Sequence, residues 1–138
     1  MIIKSLYKAG FERPTKIQAE VLQEFKHYYD FLIASQTGSG KTLAFALPVL
    51  SDLLDFHKNS ALEKLPEALL GLIITPTREL AQQIEQNVKQ ILDNIECQIS
   101  VISIIGGMSK QKQLRTIRQR KPHIIIGTPG RIHEFLED

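Results

Sequence analysis

The chain has 138 residues, of which 43% are hydrophobic and 23% charged, close to the averages for a globular domain. That length suits one domain or part of one, and the composition excludes collagen, mucin stalks and disordered acidic tails. The formal net charge of +2 is too small to imply a polyanionic partner by itself.

Taken in chain order, the first pattern is a short helix over 2–9. It carries Lys4 and Lys8 where a signal peptide needs an apolar stretch, and Gly10 stops it. Pro14-Thr15 opens a second helix. Thr15 and Gln18 stand at capping-box spacing, and Ile17, Val21, Leu22 and Phe25 form its apolar stripe. Four short apolar runs follow, at Phe31–Ala34, Leu70–Ile74, Ile99–Ile105 and His123–Ile126. They are rich in isoleucine and mostly lack strict alternation, as strands of a parallel sheet buried on both faces do. Helical patterns separate them, near 41–55, 78–93 and 109–119, and a last one begins near 130. Leu80, Ile84, Val88 and Ile91 give one helical face. Pro48 lies inside the first of these helices and should kink it or weaken its hydrogen-bond ladder. Residues 56–69 read as a surface connection.

Minor features carry less. Cys97 is the single cysteine, which excludes an internal disulfide framework and a multi-cysteine zinc site and leaves a small apolar residue in a reducing compartment. His27, His57, His123 and His133 show no ligand spacing and read as surface or boundary residues. Residues 110–121 hold six basic residues and no acidic one, either a solvated face or a nucleic-acid contact. No run of 18 apolar residues exists, so no membrane span is expected, and the chain reads as intracellular.

Alternating β and α elements imply a three-layer α/β domain, in which ligands bind beyond the carboxyl ends of the strands. Each unusual motif follows directly after one of the four expected strands. Ser35–Thr42 follows the first, Thr75–Arg78 the second, Gly106-Gly107 the third and Thr128–Arg131 the fourth. Ser35-Gln36-Thr37-Gly38-Ser39-Gly40-Lys41-Thr42 reads as a P-loop of the G-x-x-x-x-G-K-[ST] type, with Ser35 in place of the first glycine. Its glycines let backbone N–H groups converge on phosphate oxygens, and the following helix adds its dipole. Lys41 would reach the β- and γ-phosphates, and the Thr42 hydroxyl would ligate Mg²⁺.

Together these segments resemble the DEAD-box RNA helicases. Gly10-Phe11-Glu12-Arg13-Pro14-Thr15-Lys16-Ile17-Gln18 is similar to the family's Q motif, and the phosphate loop with Leu43-Ala44-Phe45 to motif I. Pro76-Thr77-Arg78-Glu79-Leu80-Ala81 is similar to motif Ia, Gly106-Gly107 to the GG motif, and Thr128-Pro129-Gly130-Arg131 to motif Ib. The resemblance implies a RecA-like P-loop α/β fold with helices on both faces of a parallel sheet, and residues 1–138 as an incomplete first helicase domain. It implies ATP and Mg²⁺ as cofactors. Arg13, Gln18, Thr37, Gly38, Ser39, Gly40, Lys41 and Thr42 would bind nucleotide, with Lys41 and Thr42 acting in catalysis and Gln18 bonding the adenine edge. Pro76, Thr77, Arg78, Gly106, Gly107, Thr128, Pro129, Gly130 and Arg131 would lie along the backbone of single-stranded or structured RNA. For Arg78 and Arg131 a surface ion pair is the alternative.

A finer likeness lies in Gly106-Gly107-Met108-Ser109-Lys110-Gln111-Lys112-Gln113, which is similar to a nucleolar subfamily that helps assemble the large ribosomal subunit. It would place the chain in the nucleus or nucleolus, with the cytoplasm as the alternative. The family's Asp-Glu-Ala-Asp and Ser-Ala-Thr motifs do not occur in the sequence. The resemblance therefore implies a piece cut at both ends, whose parent pairs it with a second RecA-like domain. The parent would be an ATP-dependent RNA helicase, coupling RNA-stimulated hydrolysis to duplex unwinding or remodelling. The fragment alone would bind nucleotide and RNA without turnover.

Overall fold

The computed structural model describes residues 2–26, 29–59, 67–95 and 99–137. His27, Cys97 and the side chain of His57 lie outside them, as does the middle of the 56–69 connection. Helices α1 (Ile2–Lys8), α2 (Lys16–Glu24) and α3 (Lys41–Asn59) come first. Strand β1 (Gly71–Ile74), helix α4 (Arg78–Leu92), strand β2 (Val101–Ile104), helix α5 (Lys110–Arg120), strand β3 (Ile124–Gly127) and helix α6 (Pro129–Leu136) follow. The strands form one parallel sheet in the order β1-β3-β2.

The isoleucine runs explain the layers. β3 is buried at all four positions, and its alternate side chains divide between two cores. Ile124 and Ile126 join Leu50, Leu54, Ala81, Ile84, Val88 and Ile91 in the cluster beneath α3 and α4. Ile125 joins Ile102, Ile104 and Ile132 on the other face, with Ile117 of α5 and Phe135 of α6 against them. Burial of a side chain such as Ile126, 0% exposed, contributes about 1.5–3 kcal/mol. The α4 stripe turns inward as its periodicity predicts. α1 is fastened to α4 by the buried Ser5 hydroxyl, which donates to the Ile91 carbonyl.

Three expectations change. Phe31–Ala34 forms no strand among the described residues, and Leu32 is 98% exposed. A strand is held by a neighbour's N–H and C=O groups, and among the described residues no strand pairs with this segment. The sheet therefore has three described strands, not four. Second, α3 runs on through Asn59 instead of ending at 55. Pro48 is accommodated inside it, although it cannot donate to the Ala44 carbonyl one turn back. Third, His123 is no surface residue: it is 7% exposed, and its Nδ1 accepts from the Ser100 N–H at 2.9 Å. Burial lowers its pKa from the ordinary 6.5. His133 is exposed, 3.6 Å from Glu137.

The register positions the site. Ile74 of β1 and Ile104 of β2 both stand opposite Gly127 of β3. The three strands therefore end level, and the loops at 75–77, 105–109 and 128 leave the sheet side by side.

Candidate nucleotide and RNA site

The phosphate loop is a turn closed on itself. Gly38 and Gly40 take φ of +83° and +94°, a region that side-chain-bearing residues rarely enter. The Ser39 N–H donates to the Gln36 carbonyl at 3.3 Å, and the Ser35 and Ser39 hydroxyls lie 2.6 Å apart. Lys41 Nζ donates to the carbonyls of Ser35 and Gln36, at 2.5 and 2.6 Å. Two of the ammonium's three hydrogens thus brace the loop. Gly40 precedes α3, so the N–H groups of its first turn open toward the same space.

Gln18 is the hinge between the Q-motif segment and this loop. Its Oε1 accepts from the Thr15 N–H at 2.9 Å, the expected capping contact, and its Nε2 donates to the Gly40 carbonyl at 3.1 Å. A Cβ on Gly40 would lie 2.5 Å from that Nε2 and 3.0 Å from Thr15 Oγ1, so glycine is required twice over, for its φ and for its space. Arg13, Thr15, Gln18, Thr37, Gly38, Gly40, Lys41 and Thr42 line one cleft of about 760 Å³, whose opposite wall includes Leu80, Gln83 and Asn87 of α4. The sequence reading did not single out Gln83 or Asn87. They are polar positions on the α4 face flanking Leu80 and Ile84, and only the packing of the loop against that helix brings them to the cleft.

The donor set suits a cation bound through phosphate. Among the described residues no group of three or more His, Cys, Asp or Glu side chains could hold a metal. Thr42 offers one hydroxyl beside Lys41. Mg²⁺ keeps several waters and takes phosphate oxygens readily, so one protein hydroxyl is a sufficient share.

At the sheet edge the two expected RNA arginines part company. Arg78 is exposed, and no ion pair engages it among the described residues. Its guanidinium lies across the Gly106-Gly107 backbone: a Cβ on Gly107 would sit 2.6 Å from Arg78 Nη1, and one on Gly106 3.1 Å from Nη2. The glycine pair, Gly107 at φ +85°, thus makes room for the arginine as well as for any ligand. Thr77 caps α4, its hydroxyl accepting from the Leu80 N–H at 3.2 Å. Pro76, Thr77, Gly107, Pro129 and Gly130 are exposed, and Gly106 and Thr128 are half-buried.

Arg131 is enclosed, with its side chain 10% exposed. Nη1 donates to the Met108 carbonyl at 3.0 Å and to Gln113 Oε1 at 2.8 Å. Nε lies 3.1 Å from Glu134 Oε2 without the alignment of a hydrogen bond. Gln113, itself buried, donates through Nε2 to the Ile105 carbonyl at 3.1 Å. Arg131 and Gln113 therefore bind both flanks of the Gly106-Gly107 turn. Arg131 thus pairs with Glu134, though enclosed and not at the surface, whereas no ion pair engages Arg78 among the described residues. Gln113 was missed as a site residue because a glutamine within a basic helix looks like solvated surface.

The model of the DEAD/DEAH box helicase family matches residues 15–138. The chain belongs to this family. Curated helicase relatives include DEAD-box ATP-dependent RNA helicase 13 of Arabidopsis thaliana, 38% identical over 99% of the chain and 18% of that protein. ATP-dependent rRNA helicase RRP3 of Coccidioides immitis is 40% identical, over 99% of the chain and 27% of its own length. The chain thus spans about a fifth to a quarter of these relatives. Among solved helicase structures, Mss116 bound to ssRNA and UDP-BeF superposes with a TM-score of 0.83 at 30% identity, covering 99% of the chain and 27% of Mss116. A hypothetical ATP-dependent RNA helicase from Sulfolobus tokodaii gives 0.78 at 26% identity, over 99% of the chain and 35% of that protein. The fold is accordingly the RecA-like helicase fold, in part. The bacterial helicase CshA of Bacillus cereus is 39% identical, level with RRP3, so the similarity does not single out a nucleolar branch. No helix among the described residues is long and apolar enough to cross a membrane.

Proposed function

We propose that this chain is the nucleotide-cradling and RNA-tracking portion of the first RecA-like domain of an ATP-dependent RNA helicase. The observation that carries the reading is the shared edge: three parallel strands end in register, and the loops they release hold Thr77, Arg78, Gly106, Gly107 and Thr128. The phosphate loop stands beside α4, which starts from the same edge.

In this reading ATP supplies the transferable phosphoryl group, and Mg²⁺ offsets its charge. The chain's own residues bind and orient. The N–H groups of Gly38 to Thr42 converge on the phosphates. Lys41 gives its third hydrogen to them, and on closer approach exchanges the Ser35 and Gln36 carbonyls for phosphate oxygens. The Thr42 hydroxyl would hold the metal beside the phosphates. Gln18 gives one lone pair of Oε1 to the Thr15 N–H and one hydrogen of Nε2 to the Gly40 carbonyl, which leaves a second lone pair and a second hydrogen to meet the adenine edge. The same side chain thereby joins base binding to the phosphate loop. At the other end of the edge, Arg78 offers a charged fork to a phosphate, and the hydroxyls of Thr77 and Thr128 offer neutral contacts. Such contacts follow the sugar-phosphate backbone and carry little base information. Arg131 and Gln113 hold the turn at 106–109 rigid beneath that path.

The 138 residues alone are a binding fragment. The sequence contains no Asp-Glu-Ala-Asp to orient water, and the charge stabilisation that a second domain provides is also needed for phosphoryl transfer. A nucleolar role in ribosome assembly rests on the stretch 106–113 alone; the rRNA helicase among the relatives supports an RNA substrate, and the near-equal likeness to bacterial CshA favours no compartment. The test is phosphate release from three chains of increasing length: this one, one extended through Asp-Glu-Ala-Asp, and a two-domain protein. RNA-stimulated, Lys41-dependent turnover is expected only in the third. Such turnover by the shortest would overturn the reading.

A further inference from the structure

Helix α5 carries Lys110, Lys112, Arg115, Arg118 and Arg120 and no acidic residue in its 11 residues. At 100° per residue, the buried Gln113 and the half-buried Ile117 define its inward side. Lys112, Arg115 and Arg118 are centred directly opposite. All three are exposed, and no ion pair engages any of them among the described residues. Helix stability does not account for this arrangement. Lys112 stands in the first turn, where the helix dipole disfavours a cation, and no acidic residue occupies that turn. The neighbours along the stripe repel one another. Only Arg118 and Arg120, in the last turn, sit where the dipole welcomes them.

The stripe also starts at the site. α5 begins three residues after Gly107, with the Ser109 hydroxyl accepting from the Lys112 N–H at 3.4 Å. Its first turn is fixed to the sheet edge through Gln113 and the Met108 carbonyl held by Arg131. From there the helix runs back along the flank of the domain toward the start of β3, where Lys121 pairs with Glu67. We propose that the outward face of α5, through Lys112, Arg115 and Arg118, is a second, sequence-independent contact for RNA phosphates, engaging the segment that leaves the Gly106-Gly107 turn. The proposal rests on the reading of the sheet edge as the RNA path and extends that path down one side. Three unpaired cations spaced along about 9 Å of helix suit a flexible polyanion better than a single compact anion.

The experiment measures binding of labelled oligouridylates by fluorescence anisotropy across a salt series. A short strand fills only the edge, and a longer one overhangs it. The unsubstituted chain is compared with Arg78→Gln and with the triple variant Lys112→Gln, Arg115→Gln, Arg118→Gln. Arg78→Gln should weaken both strands. The triple variant should leave the short strand unchanged and weaken the long one about tenfold or more at low salt. Its log–log salt slope should fall by about 2, from about 0.7 per phosphate contact on single strands. Equal affinity of the triple variant for the long strand, or equal weakening of both strands, overturns the proposal. So does displacement of the long strand from the unsubstituted chain by polyglutamate as readily as by RNA, which points to an acidic protein partner. Loss with Arg78→Gln alone sustains the edge and removes the flank, whereas an unaffected Arg78→Gln removes the edge. Neutral glutamines should keep or raise the thermal midpoint by circular dichroism. A lower midpoint makes the cations structural and also overturns the proposal.

Discussion

Gly40→Ala tests the junction on which the nucleotide site depends. At φ +94° the backbone lies outside even the left-handed region open to L residues, a strain of about 1–3 kcal/mol. The added Cβ would approach Gln18 Nε2 to 2.5 Å, a contact that must yield. Gln18 is a flexible side chain and can swing aside, but doing so releases its bond to the Gly40 carbonyl, worth about 0.5–1.5 kcal/mol. The sum is about 1.5–4.5 kcal/mol. Set against roughly 7–20 kcal/mol for a chain of this size, the variant should fold but lose a measurable share of its stability. Urea denaturation should show a lower midpoint with an unchanged slope. Calorimetric titration with ADP should show weaker binding, because the loop N–H groups no longer converge. A double-mutant cycle isolates the contact: in a Gln18→Ala background, Gly40→Ala should cost less by the hydrogen-bond share, about 0.5–1.5 kcal/mol. An alanine variant as stable as the parent, binding ADP equally well, would refute both the strained turn and the Gln18 bridge. A cycle with no coupling would refute the bridge alone.

Other outcomes follow from the same geometry. Lys41→Ala should weaken ATP or ADP binding by about 2–4 kcal/mol, the scale of truncating one partner of a buried charge pair, as read by calorimetry. Arg131→Ala should lower unfolding stability by about 1–3 kcal/mol by orphaning Gln113 Oε1 and the Met108 carbonyl. It should weaken RNA of every sequence alike, with little change in salt slope, whereas Arg78→Ala should reduce the slope by about 0.7. The His123 pKa is lowered by burial, so the unfolded chain binds the proton more readily than the folded one. Stability from this group is fully present above 6.5 and falls as the pH drops through that value toward the folded pKa. Protonation at Nδ1 also removes the acceptor for the Ser100 N–H. Denaturation midpoints measured across this range should decline on acidification, and His123→Leu should flatten that limb.

Much of this protein was legible locally. The isoleucine runs at 70–74, 99–105 and 123–126 became strands because apolar, β-branched segments bounded by turn residues suit a parallel sheet, but burial on both faces holds for β3 and fails for β1, where Leu72 and Ile74 stay exposed. The stripe of Leu80, Ile84, Val88 and Ile91 became the inner face of α4 because side-chain direction on a helix is set by its period. Gly38, Gly40 and Lys41 foretold a tight glycine turn ahead of α3 because backbone conformation is a property of short segments. Partnership was not legible. Phe31–Ala34 has the composition of a strand, yet a ladder needs a neighbour, and composition cannot say whether one lies alongside. Arg78 and Arg131 look equivalent as basic residues after strands. Only the packing of α5 and α6 turns Arg131 inward onto Gln113, Met108 and Glu134 while leaving Arg78 across the glycine pair. The same holds for His123, which sequence alone treated as a boundary residue and which the sheet closes over against Ser100. Local sequence determines what each segment can be. The tertiary structure decides which groups meet, because burial and hydrogen-bond partners are supplied by residues distant in the chain.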